Sequence, residues 1–278
     1  MIATRRAILS GAAGAIAAAG INFPIMAAQI EMIGLQLYTV RHLFEKDPVG
    51  TLERVARIGY REVEFGGANY EKMDHAMLRA TLDRLGLRAP SIHVSFDALL
   101  NKFKQSAALA RALGADTIVL AYMTPEHRTE QGWQSALGHF RHFATDLKAA
   151  GLGFAYHNHD FEFVNKPGGV SLFDRLMRET DPALVKIELD LYWVKRAGEK
   201  ARALVDRLSD RLYAFHVKDM HSDGSMAAVG AGTIDFAAVF KLKGAAGVRH
   251  FYVENDQAAP PYLPDITTSF ETLRALRF

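Results

Sequence analysis

The amino-acid sequence predicts an α/β protein with the (β/α)8 architecture of a TIM barrel. Short β-branched or aromatic runs alternate with amphipathic stretches of helical length, and eight such units fill residues 29–278. Alternating strands and helices call for a parallel sheet, and eight units in about 250 residues have the size of a closed barrel. No Gly-x-Gly-x-x-Gly motif follows the first strand, which argues against a dinucleotide-binding fold.

The elements are predicted in chain order from these runs. The strands cover residues 32–38, 62–65, 89–94, 117–122, 153–158, 185–190, 212–218 and 250–254. The helices cover residues 49–58, 71–85, 98–113, 130–150, 171–179, 199–209, 235–246 and 264–276. Glycines stand where several helices should end before the next strand, a position that favours glycine; they are Gly59, Gly86, Gly114, Gly151 and Gly247. The irregular segment 221–235 after the seventh strand is predicted to be an active-site loop.

Residues 1–28 differ in composition from the rest of the chain. Arg5 and Arg6 precede an apolar run rich in alanine and glycine that is too short to span a bilayer. This pattern is typical of a twin-arginine export signal peptide. The mature protein is therefore expected to begin near residue 29 and to lie in the periplasm or elsewhere outside the cytoplasm, with no membrane insertion after removal of the leader.

The composition limits the chemistry that the chain can perform. The 278 residues include no cysteine, which excludes disulfides, thiolate catalysis and cysteine zinc sites. Any metal site must then use histidine, aspartate, glutamate or carbonyl ligands, which suit Mn, Mg, Co or Zn. The formal net charge is +2 and no basic stripe is visible, so a nucleic-acid partner is not expected.

Polar and ionisable residues gather at the carboxyl ends of the predicted strands, where TIM barrels carry their active sites. Charges in such apolar surroundings are costly unless they are paired or bound to a metal, so their concentration at one end predicts a single site. In chain order they include Gln36, Tyr38, Arg41, Glu64, His93, Tyr122, His157, His159, Glu162, Glu188, Asp190, His216, Lys218 and Glu254.

The last four strands predict a site for one divalent metal ion. Carboxylates and an imidazole that end successive parallel strands converge on one side of the barrel mouth, and such a set is typical of a divalent cation site. The predicted ligands are Glu162, Asp190, His216 and Glu254.

At these residues the chain resembles a known family, the xylose isomerase-like TIM barrels of the sugar phosphate isomerase/epimerase group. The resemblance covers roughly residues 30–278, and its most specific segments are residues 33–41, 156–163, 188–193 and 216–219. It implies a metal-dependent enzyme that moves protons beside a sugar carbonyl. It also implies that Asp190, His216 and Glu254 are metal ligands.

The fifth strand departs from the family pattern. Many members carry a glutamate two residues before the position of His159, and here that position is His157. The ligand from this strand is therefore either Glu162 or His157. In the epimerases this glutamate and the one on the eighth strand form the acid/base pair. A sugar isomerase or epimerase is expected, and the alternatives are a lyase or hydratase acting on 3-keto sugars or 3-keto glycosides, or a non-catalytic sugar-binding barrel.

The remaining residues receive roles from the chemistry of proton abstraction beside a carbonyl. The predicted catalytic residues are His159, His157, Lys218 and Glu254, and the predicted substrate-binding residues are Gln36, Tyr38, Arg41, Glu64, His93 and Trp193. The expected partner is a small sugar or glycoside, and oligomerisation is left open. An abasic-site endonuclease of the same barrel class is disfavoured, because neither the net charge nor the leader suits a DNA-binding enzyme.

Overall fold

The computed structural model describes residues 28–278, so all but the last residue of the predicted leader lie outside the described residues. The strands are β1 (Gly34–Gln36), β2 (Glu62–Glu64), β3 (Ser91–Val94), β4 (Thr117–Leu120), β5 (Gly153–His157), β6 (Val185–Asp190), β7 (Leu212–Val217), β8 (Asp219–Met220), β9 (Met226–Ala227) and β10 (His250–Val253). Eight of them form one parallel sheet in the order β2-β1-β10-β7-β6-β5-β4-β3, and β8 pairs with β9 in a hairpin. Single bridges from Glu62 to Arg88 and from Phe65 to Ile92 join β2 to the β3 side. The fold is the predicted (β/α)8 barrel.

The helices surround this sheet. They are α1 (Arg41–Lys46), α2 (Pro48–Ile58), α3 (His75–Leu85), α4 (Phe96–Asn101), α5 (Phe103–Leu113), α6 (Glu130–Ala149), α7 (Phe161–Val164), α8 (Leu172–Glu179), α9 (Leu191–Arg196), α10 (Ala201–Leu208), α11 (Phe236–Phe240) and α12 (Leu263–Ala275). No helix in residues 28–278 combines the length and the apolar content that a membrane span requires.

Helix α6 shows how the sequence pattern produces the outer layer. Its buried side chains recur every three or four residues, which places them on one face of the helix. Trp133 on this face is fully buried, and its indole nitrogen donates a hydrogen bond to the carbonyl oxygen of Leu172 at 3.0 Å. The ring of Phe140 packs 5.5 Å from that of Tyr156 on β5. This face fixes α6 against the strand that carries His157.

The predicted helices differ from the observed ones where the chain reaches the barrel mouth. The predicted helix 98–113 is two helices, α4 and α5, which are separated at Lys102. The predicted strand 32–38 ends at Gln36, because residues 37–40 form a 3-10 turn in which the Gln36 side chain accepts the amide of Tyr38. Gly86 and Gly114 end helices in the left-handed conformation as expected. Gly247 does not end a helix, because α11 already stops at Phe240.

The sequence predicts an active-site loop in residues 221–235, but this segment does not line the cavity at the carboxyl end of the barrel. Instead the buried carboxylate of Asp219 accepts backbone amides of Gly230 at 2.9 Å, Gly232 at 3.1 Å and Ile234 at 3.0 Å. The loop is thereby folded around Asp219 beside the barrel.

Candidate active site

A cluster of histidines and carboxylates lies at the carboxyl end of four neighbouring strands. His157 ends β5, Asp190 ends β6, His216 lies on β7, and Glu254 follows β10. The sheet register places His216 directly beside Asp190, so parallel pairing brings these strand ends together. One ligand atom from each of the four residues lies within 4.8 Å of the others, and all four side chains are buried.

Each imidazole of this cluster has a carboxylate on both sides. His216 Nδ1 lies 2.7 Å from Glu254 Oε2, and its Nε2 lies 2.9 Å from Glu188 Oε1. His157 Nδ1 lies 3.0 Å from the same Glu188 oxygen, and its Nε2 lies 3.8 Å from Asp190 Oδ2. Burial lowers the pKa of His157 well below its usual value, with a further contribution from the charge of His216. This direction favours the neutral imidazole, the form that binds metals. The pKa of His216 moves the opposite way, because burial opposes its charged form but Glu188 and Glu254 outweigh burial and raise the pKa well above the usual value.

Asp190 has one oxygen used by the fold and one oxygen directed at the cluster. Its Oδ1 accepts the backbone amide of Trp193 at 2.9 Å and so caps helix α9. Its buried Oδ2 forms no hydrogen bond of normal geometry and lies 3.0 Å from Lys218 Nζ. Lys218 is also 2.8 Å from Glu254 Oε2 and 2.9 Å from Asp256 Oδ1. Burial opposes the charged form of Lys218, but these carboxylates raise its pKa well above the usual value.

A second polar layer lies beneath the cluster. Glu64 accepts a hydrogen bond from Gln36 Nε2 at 2.8 Å and another from the hydroxyl of Ser91. His93 Nε2 lies 3.0 Å from Glu64 and 2.7 Å from Glu188. Burial alone would lower the pKa of His93, but the two carboxylates overcome it and raise the pKa to about 10. Gln36 and Glu64 do not line the cavity, so they support His93 and His216 from below rather than meeting a substrate there.

His159 lies at the edge of the cluster among aromatic rings. Its ring centroid is 5.0 Å from that of Tyr122, 5.2 Å from that of Trp193 and 5.9 Å from that of Phe161. Its Nδ1 is buried without a hydrogen-bond partner, and the ring lines the cavity. Burial, with the nearby charge of Lys218, lowers its pKa well below the usual value. These surroundings favour the neutral form of the His159 imidazole beside the cluster.

Glu162 does not join the cluster, contrary to its predicted role as a metal ligand. One of its oxygens accepts the hydroxyl of Tyr156 at 2.7 Å, and the other accepts the backbone amide of His159 at 2.8 Å. Burial raises its pKa to about 8 despite these two donors. Glu162 lies on the short helix α7, which turns it toward Tyr156, and its contacts fix the backbone that carries His159.

The cluster opens into a cavity of about 630 Å³. Six of the predicted site residues line it, namely Tyr38, His93, His157, His159, Lys218 and Glu254. Arg41 and Trp193 do not: Arg41 stacks on the ring of Tyr38 at 4.1 Å, and Trp193 lies beside His159. The prediction omitted the cavity residues Phe96 and Leu100 on α4. Their apolar side chains directly after the third strand were the available signal.

The residues present fit a divalent metal ion. The set of His157, Asp190, His216 and Glu254 offers two imidazoles and two carboxylates, the ligand types that bind borderline divalent metals. Asp190 Oδ2 is a buried acceptor with no hydrogen bond of normal geometry within residues 28–278, and the Lys218 ammonium 3.0 Å away shows that this position suits a cation.

A closed parallel barrel with its ionisable cluster and cavity at the carboxyl end is the arrangement of a TIM-barrel enzyme. The profile of the xylose isomerase-like TIM barrel family matches residues 52–273, and the chain belongs to this family.

Relatives and solved structures agree with this assignment. Over 230 residues the chain is 26% identical to an inosose dehydratase of Geobacillus kaustophilus, which covers 68% of this chain and 73% of that protein. A sugar phosphate isomerase/epimerase of Parabacteroides distasonis superposes with a TM-score of 0.75 at 23% identity, covering 89% of this chain and 94% of its own. The IOLI protein, solved with a zinc atom, has a TM-score of 0.66 at 14% identity and covers 89% and 99%. The two structural likenesses show the shared fold.

Proposed function

We propose that the protein is a divalent-metal-dependent lyase that eliminates water or an alcohol from a keto sugar or keto glycoside. The observation that carries the proposal is His159, a neutral histidine whose ring lines the cavity beside a four-ligand cluster and the charged Lys218. The similarity to an inosose dehydratase supports elimination as the reaction class. A sugar isomerase or epimerase of the same family is the second candidate, supported by the Parabacteroides distasonis neighbour.

The metal is held in this proposal by His157, Asp190, His216 and Glu254. His157 takes the fifth-strand position because it reaches the cluster and Glu162 does not. When bound, the ion supplies Lewis-acid stabilisation of the oxygen charge that develops beside the carbonyl. Two imidazole ligands favour Zn, Co or Mn over Mg, which prefers oxygen ligands. The zinc atom of the IOLI structure supports the same choice.

The chain's own residues perform the proton transfer. His159, whose ring lines the cavity, removes the proton from the carbon next to the carbonyl. A carbon–carbon double bond forms as the bond to the leaving oxygen breaks, and His159 returns the proton to that oxygen, so water or an alcohol departs. Lys218 balances the negative charge on the carbonyl oxygen during the transfer.

Elimination suits this site better than epimerisation. Inversion of a carbon requires a base on one face of the sugar and an acid on the other. The fifth-strand position that supplies one of them in the epimerases is His157, whose nitrogens face Glu188 and Asp190. A single open base is enough for elimination, because the same group takes and returns the proton.

Proton NMR in D2O tests the proposal. The metal-loaded protein is incubated with an inosose, with 3-keto-glucose and with its methyl glycoside, and a chelated sample serves as the control. We expect loss of one ring proton together with release of water or methanol, and no reaction after chelation. An epimer that carries solvent deuterium, without a released group, would establish the epimerase instead. Binding without turnover of any sugar would identify a sugar-binding barrel.

Export remains a separate proposal that rests on the sequence of the leader alone. Arg5 and Arg6 ahead of the apolar run support a twin-arginine signal, cleavage near residue 29 and a location outside the cytoplasm. N-terminal sequencing of the native protein tests this. An intact Met1 in a cytoplasmic fraction would contradict it. Replacement of both arginines by lysine should leave the uncleaved precursor in the cytoplasm.

A further inference from the structure

The mouth of the cavity concentrates exposed apolar side chains. Among residues 28–278, the exposed large hydrophobic side chains are Tyr38 at 37%, Leu100 at 38%, Tyr122 at 42% and Val164 at 55%. The first three line the cavity, together with the buried ring of Phe96. Apolar side chains that are grouped on an otherwise polar surface mark a place where a ligand binds.

The two tyrosine rings are held in place before any ligand arrives. The guanidinium of Arg41 stacks 4.1 Å from the Tyr38 ring, and that of Arg128 lies 4.8 Å from the Tyr122 ring. Arg41 also donates to the Tyr38 carbonyl at 2.8 Å, and Arg128 donates to the Met123 carbonyl at 2.9 Å. Rings that are already ordered lose little conformational entropy when a ligand stacks on them.

The cavity has room for more than one ring. Its volume of about 630 Å³ lies in the range that encloses a drug-sized ligand. It runs from Lys218 and Glu254 at the polar end to Leu100 and Tyr122 at the mouth. A sugar ring that reaches the metal cluster therefore leaves the apolar end unfilled. Gly67 allows the Tyr38 ring to pack against its backbone, because a Cβ there would lie 2.6 Å from that ring.

The charge at the mouth restricts what can bind there. Glu71, Asp97 and Glu126 line the outer part of the cavity. Lys218 is the only lysine or arginine among the described lining residues, and three carboxylates already surround it. Arg41 and Arg128 stack on the two tyrosine rings but do not line the cavity, so carboxylates are the charged groups that an occupant of the mouth meets directly. An uncharged ring can offer hydroxyl groups to them, whereas a phosphate would find no lysine or arginine among the described lining residues of the mouth.

We propose that the mouth is a second subsite, which binds an uncharged ring joined to the sugar, so that the substrate is a glycoside rather than a free or phosphorylated sugar. The inference rests on the proposed function only in placing the sugar at the metal cluster. An aromatic ring and a second sugar ring share the apolar face that stacks on tyrosine. The aromatic ring is the better match to the part of the lining formed by Tyr38, Phe96 and Leu100, which offers apolar surface, whereas a second sugar would have to use the carboxylates.

Calorimetry with matched glycosides tests the subsite. The probes are the methyl, phenyl and glucosyl β-glycosides of 3-keto-glucose, with glucose 6-phosphate as the anionic probe, bound to the zinc-loaded His159→Gln protein so that turnover does not consume them. We expect the phenyl glycoside to bind about tenfold more tightly than the methyl glycoside, the glucosyl glycoside to lie between them, and glucose 6-phosphate not to bind. Tightest binding of the glucosyl glycoside would assign the subsite to a second sugar.

Variants locate the effect. Leu100→Ala, added to His159→Gln, should remove most of the phenyl preference and leave methyl glycoside binding and zinc content unchanged. Val164→Ala is the matched control, because this exposed side chain lies outside the cavity lining. Equal affinity for the methyl and phenyl glycosides, or no binding of the phenyl glycoside, would overturn the inference. If the phenyl glycoside binds more tightly but the unmodified protein turns over none of the glycosides, the lyase proposal is contradicted and the subsite inference stands.

Discussion

The two ends of the barrel each pair a histidine with a buried glutamate, yet within residues 28–278 only the carboxyl end builds a candidate site. At the amino end, His250 Nδ1 lies 2.9 Å from Glu62, and the guanidinium of Arg88 lies 3.7 Å away from the same carboxylate. At the carboxyl end, His216 Nδ1 lies 2.7 Å from Glu254. The contact distances are similar, so distance within the pair does not distinguish a structural pair from a functional one.

The surroundings of the pairs make the difference. The amino-end carboxylate is balanced by a histidine and an arginine and, in the part of the chain that the structure describes, belongs to no group with metal-ligand geometry. At the carboxyl end, Glu188, Asp190 and Glu254 crowd together around His216, and a cavity reaches Glu254. An excess of buried carboxylates that opens to solvent calls for a cation. Charge balance and access therefore identify the site.

The largest contrast between the two ends is expected when His216 and His250 are each replaced by alanine in separate variants. His216→Ala should lower bound zinc from one ion per chain to background and abolish turnover, because it removes a ligand. His250→Ala should keep both, while the free energy of unfolding falls by about 1–3 kcal/mol because Glu62 loses a buried partner. Metal analysis, turnover and urea unfolding measure the contrast. Equal loss of zinc in the two variants would contradict it, as would full activity of the native protein after exhaustive chelation.

The next effect concerns the proposed base. His159→Gln should lower kcat by about 10²–10⁴-fold with zinc content unchanged, because no ligand is removed. His157→Ala should instead empty the metal site. The matched control is His142→Gln, which changes an exposed histidine on α6 whose Nδ1 bonds to the Gly138 carbonyl of the same helix. If His159→Gln loses zinc while His157→Ala retains it, the roles of the two histidines are exchanged.

Replacement of Lys218 tests the charge balance of the cluster by removing a positive charge instead of a ligand. Its ammonium lies 3.0 Å from Asp190 and 2.8 Å from Glu254, the carboxylates proposed to hold the metal. Lys218→Met should therefore bind zinc more tightly, because a neighbouring positive charge is lost. It should also lower kcat by about 10²–10³-fold through loss of charge stabilisation at the reacting oxygen. Lys148→Met, at an exposed lysine on α6, is the control. Weaker zinc binding in Lys218→Met would refute this electrostatic account.

The smallest functional effect is expected at Glu162. Glu162→Gln should leave zinc content unchanged and cost about 1–3 kcal/mol of stability, because one of its two buried hydrogen bonds is lost. Its kcat should fall by less than tenfold, since the amide of His159 loses an acceptor while the ring stays in place. Tyr156→Phe, which removes the other partner of this carboxylate, should behave similarly in thermal melts. Loss of zinc in Glu162→Gln would restore Glu162 as a ligand.

The repeating architecture and the end of the barrel that carries chemistry were predictable from the sequence. Apolar runs and amphipathic stretches report local burial, so the alternation of strands and helices and the (β/α)8 fold follow from residue spacing. The grouping of Asp190, His216 and Glu254 was predictable from the sequence as well, because parallel strands bring their carboxyl ends to one side.

The tertiary structure decided where the side chains that follow the strands point. Glu162 and His157 were equivalent candidates by spacing, but α7 turns the Glu162 carboxylate toward Tyr156 and leaves His157 in the cluster. Gln36 and Glu64 lie in the layer below the cavity, while Leu100 reaches the mouth because Lys102 separates α4 from α5. Strand spacing sets the direction of a side chain on a strand, whereas the direction of a side chain after a strand depends on the contacts that its loop makes with the rest of the barrel.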